Sequence, residues 1–300
     1  MPPRVTHLTH LTDPTVTPSS RRSAWLASGE DGTPLGTAFL RLFTKDGQAH
    51  LAELDITVHP AERRRGVGTA LLDAAIASAR DERRRAVIAQ ADRDSPAHAF
   101  LAARGFRQVL SLVYARLELA GIDQDHFTRI LEQLCPGYHL THWTGVVPPE
   151  LADTYAASRR AMDDMPMGDT DYGTVVWDVE RVVAAAEAIA KRGDVLHTVA
   201  AVHTSSGTIV GFSELVLPGL VLPGDGKGEG QHYGTAVLPE HRGRGLGLRM
   251  KAEAIRHAHG LAPELALLTD TAEENLPMRR VNDALGYRPT HTAIEYQLDL

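Results

Sequence analysis

The sequence is poor in cysteine, because its 300 residues include only Cys135. A lone cysteine excludes disulfides within the chain and metal sites built from several thiolates. Long apolar runs are lacking too: none approaches the roughly 20 residues that cross a bilayer, and the first residues have no apolar signal core. We therefore expect no membrane span and a cytoplasmic location.

An excess of positive charge is also lacking. The chain has 31 lysines and arginines against 38 aspartates and glutamates, a formal net charge of -7. Because nucleic-acid binding depends on neutralising phosphates, this balance opposes a nucleic-acid partner. The 15 histidines are dispersed, and pairs such as His7 and His10 lie three apart on a predicted strand, which places them on opposite faces. We therefore predict no metal site.

A glycine-rich loop, by contrast, occurs twice. The first copy is Arg63, Arg64, Arg65, Gly66, Val67 and Gly68, and the second is Arg242, Gly243, Arg244, Gly245, Leu246 and Gly247. Each follows a β-type run that ends in Val-x-Pro, at Val58 and Val237, and each precedes a helical pattern. A turn from strand to helix presents free backbone N–H groups and the positive end of the helix dipole to an anion. Because glycines allow close approach and arginines add charge, we predict a pyrophosphate ligand.

Both loops resemble the coenzyme A loop of the GNAT acetyltransferase superfamily, which reads Arg/Gln-x-x-Gly-x-Gly/Ala after Val-x-Pro. A second family signature follows each loop at a similar distance, at 105–106 and at 286–287. The segment from Asn275 to Asn282 is similar to the family helix beside the pantetheine arm of the coenzyme. The resemblance implies that Val58, Val237, both loops, Asn275 and Asn282 bind coenzyme A, and that acetyl-CoA is the cosubstrate.

The length favours two domains, because a single core seldom exceeds roughly 250 residues. His-Leu-Thr-His at 7–10 recurs at 139–142, and each copy opens a block that contains one loop. We predict an N-terminal degenerate GNAT domain at 1–120, a helical linker at 121–136 and a C-terminal catalytic GNAT domain at 137–300. The resemblance implies an α/β (α+β) class with two tandem GNAT folds, each a mixed, mostly antiparallel, twisted sheet flanked by helices.

The two copies differ in length ahead of the loop. The second contains an insertion with two helical patterns, at 148–162 and 179–191, whereas the first has only 12–22 in that place. The resemblance implies that such helices build the pocket for the acceptor amine, so we expect that pocket in the second copy. This unequal arrangement resembles that of mycothiol synthase and related actinobacterial tandem acetyltransferases.

The strand ahead of each loop predicts where the chemistry occurs. Alternate positions share a face of a strand, and they are Ile56, Leu54 and Ala52 in the first copy but Thr235, Tyr233 and Gln231 in the second. The resemblance implies a catalytic base on or near this polar face. We expect Glu214 as the base or else as a surface residue, Tyr233 as a proton donor or else as a packing residue, and Gln231 as a positioning group.

Four acidic residues follow the first inserted helix, where the family has its acceptor loop. They are Asp163, Asp164, Asp169 and Asp171. Carboxylates at a pocket mouth would favour a cationic amine, and the alternative is a solvated acidic loop.

Together these features predict an N-acetyltransferase that moves an acetyl group from acetyl-CoA to a small-molecule amine, with the chemistry in the C-terminal domain of a monomer or homodimer. The alternative is a non-catalytic protein that binds or senses acyl-CoA. The family often has a tyrosine acid on the helix that follows the loop, and its absence favours this alternative, because Leu101 and Asn282 occupy that position.

Overall fold

A computed structural model describes residues 7–12, 20–173, 175–219 and 228–300 as a mixed α/β protein. The strands are β1 (His7–Thr12), β2 (Ser20–Ser28), β3 (Pro34–Phe43), β4 (Leu51–Val58), β5 (Ala86–Asp92), β6 (Arg107–Glu118), β7 (Tyr138–Thr144), β8 (Val195–His203), β9 (Ile209–Leu217), β10 (Glu229–Val237), β11 (Ala266–Ala272) and β12 (Arg288–Asp299). The helices are α1 (Val67–Asp81), α2 (Pro96–Ala103), α3 (Gln124–Glu132), α4 (Pro149–Ser158), α5 (Val179–Lys191), α6 (Leu246–Leu261) and α7 (Leu276–Ala284). Short 3-10 turns lie at Pro60–Glu62, Leu119–Gly121, Arg159–Met162 and Pro239–His241.

The chain forms two compact units. The first comprises residues within 1–111, 167–175 and 292–300, and the second comprises 112–166 and 176–291. The strand order is β1-β2-β3-β4-β5-β12 in the first unit and β6-β11-β10-β9-β8-β7 in the second. In each sheet one central pair is parallel, β4 with β5 and β10 with β11, and the other pairings recorded within each unit are antiparallel.

One face of the first sheet is covered by α1. This helix buries Val67, Leu71 and Ala75 on one side, as expected for an amphipathic helix. The core that it forms with β2, β3 and β4 also includes Ile294 and Tyr296 from β12. Residues 13–19, within the segment that we compared with the inserted helices, lie outside the described residues.

Helices cover both faces of the second sheet. Alternate residues of β9 face opposite sides, so Phe212 and Glu214 lie toward Tyr155 of α4, whereas a side chain at Gly211 would meet Met250 of α6. We call the α4 side the acceptor face and the α6 side the coenzyme face. The two helical patterns predicted in the insertion correspond to α4 with its following 3-10 turn and to α5.

The compact units depart from the division expected at 120 and 137. Residues 112–118 of β6 pair with β11 in the second unit, whereas 293–299 of β12 pair with β5 in the first. Each repeat thus gives its last strand to the other unit. The segment expected as a linker contains α3, which buries Phe127 and Ile130 in the second core. Among the described residues, no helix has the length and apolar character needed to cross a membrane.

Candidate active site

The first unit has an open cleft between its two parallel strands. β4 and β5 pair only from Leu51 with Ala86 to Leu54 with Ala89, and beyond that point they are no longer paired. A cavity of about 500 Å³ lies there, a size typical of ligand sites. Its lining comes from both strands, the loop and α2, namely Leu54, Ile56, Thr57, Val58, Arg63, Arg64, Gly66, Gly68, Thr69, Ala89, Gln90, Ser95, Pro96, Ala97, Phe100 and Leu101.

The first glycine loop closes one end of this cleft. Arg63 donates from Nε to the carbonyl of Val58 at 3.3 Å, which fixes the entry to the loop. Gly66, with φ 82°, forms the N-cap of α1, a left-handed conformation that suits glycine. The first N–H groups of α1 therefore begin at the cavity, as an anion site requires. Arg64 also has a positive φ, 63°, where the second loop has Gly243.

The second loop repeats this geometry with one added ion pair. Arg242 donates from Nε to Val237 O at 2.8 Å, and Gly245, with φ 74°, forms the N-cap of α6. The guanidinium of Arg242 also makes two hydrogen bonds to Asp164, at 2.6 and 2.7 Å. These hydrogen bonds raise the pKa of Arg242 and lower that of Asp164. Arg242 thus anchors the loop, and the backbone N–H groups remain for an anion.

The strand β10 carries a bulge that β4 lacks. β10 pairs with β11 over Glu229–Gln231 only, and its register against β9 shifts between His232 and Gly234. The extra residue is Tyr233, which is 49% exposed and accepts a hydrogen bond from Arg192 at 2.9 Å. A bulge turns the following residues to the other face. The expectation that Gln231, Tyr233 and Thr235 share one face was therefore wrong.

A carboxylate that sequence reasoning missed lies where β10 and β11 separate. Asp270 on β11 accepts a hydrogen bond from Gln231 Nε2 at 3.2 Å. Its neighbours Thr269 and Thr271 bond to residues of α6 and α7, so Asp270 points to the acceptor face. Partial loss of hydration in the cleft raises the pKa of Asp270, and Lys251 opposes this rise.

Glu214, our expected base, is held by two donors on the acceptor face. Its Oε1 accepts from Tyr155 and from Arg159, both at 2.6 Å. The Arg159 guanidinium lies between Trp177 and Phe212, at 3.9 and 4.7 Å from their ring centroids. Burial acts to lower the pKa of Arg159, but Glu214 and Tyr155 together outweigh it and that pKa is raised. Burial raises the pKa of Tyr155, and Glu214 adds to the rise.

The comparisons with known proteins agree with this geometry. The model of the acetyltransferase (GNAT) family matches residues 5–106 and 161–287. The chain belongs to the GNAT acetyltransferase family.

Two solved structures match most of this chain in fold. A tandem GNAT protein from the clavulanic acid biosynthesis pathway matches with a TM-score of 0.74 at 24% identity, over 95% of this chain and 84% of that one. A GCN5-related N-acetyltransferase from Sphaerobacter thermophilus matches with a TM-score of 0.61 at 19% identity, over 92% and 80%. These identities show the fold alone. The comparison with curated proteins found no match.

The four acidic residues that we expected at the acceptor mouth, or else in a solvated acidic loop, are divided between the two units. Asp163 and Asp164 follow the 3-10 turn after α4 in the second unit, and Asp164 is paired with the loop. Asp169 and Asp171 belong to the first unit, where the N–H of Asp169 donates to Val109 O at 3.0 Å. The segment leaves the second unit after residue 166, and this separation could not be inferred from spacing.

Asn275 and Asn282, which we expected to bind coenzyme A, both make hydrogen bonds within the protein. Asn275 caps α7 by accepting from the N–H of Met278 at 3.2 Å. Asn282 is buried, accepts from Lys251 at 2.7 Å and donates to Thr271 at 3.0 Å. Lys251 and Asp270 escaped sequence reasoning because a single lysine in a helix and a single aspartate in a strand carry no motif. A position-by-position alignment of the two repeats sets Lys251 against Leu72 and carries a signal for the lysine, whereas it sets Asp270 against Gln90, which is also polar.

Proposed function

We propose that the protein is an acetyl-CoA-dependent N-acetyltransferase for a small-molecule amine, with its chemistry in the second unit. The observation that carries the proposal is the bulge at Tyr233, which interrupts β10 beside the separating strands, whereas β4 is regular. Bulges are common next to active sites because they free backbone groups and redirect side chains. The helices α4 and α5 on the acceptor side and the hydrogen-bonded pair of Gln231 and Asp270 also support it.

Acetyl transfer from a thioester to an amine needs a neutral amine and a polarised carbonyl. In the proposed reaction, the Asp270 carboxylate accepts the amine proton, because its raised pKa suits a base that works near neutral pH. Gln231 orients that carboxylate. Backbone N–H groups freed by the bulge polarise the acetyl carbonyl. Glu214 instead orients Arg159 and Tyr155, since both donate to it.

In this proposal the first unit binds acyl-CoA without turning it over. Its cleft has the loop, the helix N-terminus and the volume for the coenzyme, but Leu54 and Ile56 give its strand an apolar wall. The same cleft supports the second candidate function, in which the protein only binds or senses acyl-CoA.

Matched loop variants separate the two clefts. Gly68 and Gly247 occupy equivalent helix positions, and a side chain at Gly68 would meet Phe100 and Val58 at 3.5 Å, whereas one at Gly247 would meet Thr235 at 3.9 Å. Phenylalanine at either place should fill one cleft. We expect both Gly68→Phe and Gly247→Phe to lose one acetyl-CoA site in calorimetry, and only Gly247→Phe to lose thiol release with a panel of amines. Tight binding without thiol release for any amine would favour the sensor.

A further inference from the structure

The core beneath the second cleft is polar where the core beneath the first is apolar. Six buried positions differ in this way when the repeats are aligned on their loops, their parallel strand pairs and the glycine turns after α2 and α7. In the first repeat they are Leu54, Leu72, Ala89, Ala91, Leu101 and Phe106. In the second they are His232, Lys251, Thr269, Thr271, Asn282 and Tyr287.

Lys251 on α6 is the centre of this buried polar cluster. The residue is 1% exposed, and its Nζ donates to Asn282 Oδ1 at 2.7 Å and to Thr269 Oγ1 at 3.3 Å. Asn282 in turn donates to Thr271, and the ring centroid of Tyr287 lies 4.9 Å from the lysine nitrogen. These partners are all neutral.

Such a lysine is unfavourable for folding, because its charge loses hydration without a carboxylate in direct contact. The first repeat fills the equivalent place with Leu72, four residues after Gly68, and buries it in a hydrocarbon core. The GNAT fold therefore does not need a cation here. A buried polar cluster kept in one repeat and absent from the other points to a role in chemistry.

The position of the cluster places it at the reacting end of the second cleft. Leu54, Ala89 and Leu101 line one wall of the first cleft, and Leu54 and Ala89 are the last pair before β4 and β5 separate. The alignment places the equivalent residues His232, Thr269 and Asn282 at the same wall in the second unit, where β10 and β11 stop pairing after Gln231 and Leu268. With a pyrophosphate at the loop, the thioester end of the coenzyme extends toward this wall.

We propose that the Lys251 ammonium protonates the leaving coenzyme A thiolate through the Thr269 hydroxyl. The inference rests on the proposed acetyl transfer. The amine nitrogen forms a bond to the acetyl carbon and the carbon–sulfur bond breaks, with its electron pair on sulfur. Thr269 gives its hydroxyl proton to sulfur and takes one from Lys251 Nζ. The amine proton goes to Asp270, and exchange with water returns Asp270 and Lys251 to their starting states.

The titratable groups around Lys251 fit this role. They are His232 on β10, Asp270 on β11 and Tyr287 after α7, with His197 on β8 behind His232. Burial lowers the pKa of Lys251 to about 7, and the Asp270 carboxylate opposes this shift. A thiol has an ordinary pKa near 8.5, so proton transfer from this ammonium to a thiolate is favourable. Burial also lowers the pKa of His232 well below its usual value, which leaves that ring neutral.

Lys251→Met tests the proposal because methionine keeps the length of the side chain and removes the proton. We expect kcat to fall by about a hundredfold or more, in the range of acid–base groups, with KM for acetyl-CoA unchanged. The decline of kcat as pH rises through the lysine pKa should vanish in the variant. The midpoint of urea unfolding should change little, because removal of the buried charge offsets the loss of the hydrogen bond to Asn282. A kcat within threefold of wild type would overturn the proposal.

Arg249→Met is the matched control. Arg249 lies on the same helix but donates to Leu131 O at 3.0 Å, on the side that packs against α3. We expect this variant to keep the wild-type kcat and pH profile. An equal loss of kcat in both variants would mean that removing any positive charge from α6 lowers turnover, and would contradict a specific proton donor.

A titration of bound coenzyme A separates failure of this inference from failure of the proposed function. With the first cleft filled by Gly68→Phe, the ultraviolet absorbance of the thiolate reports the thiol pKa in the second cleft. We expect that pKa to be lower than in free coenzyme A, and to return toward the free value when Lys251→Met is added. Identical titrations with and without Lys251 would overturn the inference. A lysine-dependent shift without turnover of any amine would support the contact and count against acetyl transfer.

Discussion

At the scale of single residues, two carboxylates on the acceptor face have opposite surroundings. Glu214 accepts hydrogen bonds from a buried arginine and a buried tyrosine, whereas Asp270 has one amide partner, Gln231. A carboxylate that pairs with a buried guanidinium neutralises that charge and is needed to keep it buried. Asp270 keeps lone pairs for a proton, which is why we assign the base to it rather than to the residue favoured by the sequence.

Asp270→Asn should therefore lose turnover, whereas Glu214→Ala should lose stability. We expect Asp270→Asn to keep its stability and lose about a hundredfold or more in kcat. Glu214→Ala leaves Arg159 buried without its partner and should lose about 3–5 kcal/mol of unfolding free energy in urea. Glu214→Gln, which keeps an acceptor for both donors, is the control. If Glu214→Gln keeps its stability but loses turnover, whereas Asp270→Asn keeps turnover, the base is Glu214.

At the scale of elements, β7, β8 and α6 bring three histidines together. The rings of His197 and His257 are stacked with centroids 3.7 Å apart, and His142 lies 5.5 Å from His197. No group of three or more His, Cys, Asp or Glu in the described parts of the chain has a metal-binding arrangement. Burial, and then the two neighbouring rings, lower the pKa of His197 from 6.5 to about 3.

This stack should make the second unit sensitive to acid. Between the unfolded pKa near 6.5 and the folded value near 3, the unfolded chain binds a proton at His197 that the folded chain does not. The free energy of unfolding should therefore fall as pH drops through that window, by up to about 1.4 kcal/mol per unit. His197→Phe should flatten the slope in urea unfolding at pH 7 to 4, whereas the exposed His139→Gln should not. An unchanged slope in His197→Phe would contradict this account.

At the scale of the whole molecule, the sequence predicted whatever depends on local chemistry. The glycine loops, the β-type runs that end at Val58 and Val237 and the inserted helices follow from patterns within a few residues, and the structure has them. The bulge at Tyr233 was missed because it depends on pairing with β9. The exchange of last strands between the units was missed because the sequence of β12 does not show which repeat it pairs with.

Because of the strand exchange, a residue of the second repeat packs in the core of the first unit. Ile294 lies on β12 but is buried in the core beneath α1. Ile294→Ala should therefore cost about 2–5 kcal/mol, and the loss should reach the first unit. Hydrogen exchange should accelerate in β3 and β4 while β8 and β9 keep their protection, because local stability follows the packing of each unit. Arg288→Ala, at the exposed start of the same strand, is the control. Faster exchange in β8 and β9 alone would mean that β12 stabilises its own repeat and would contradict the exchange.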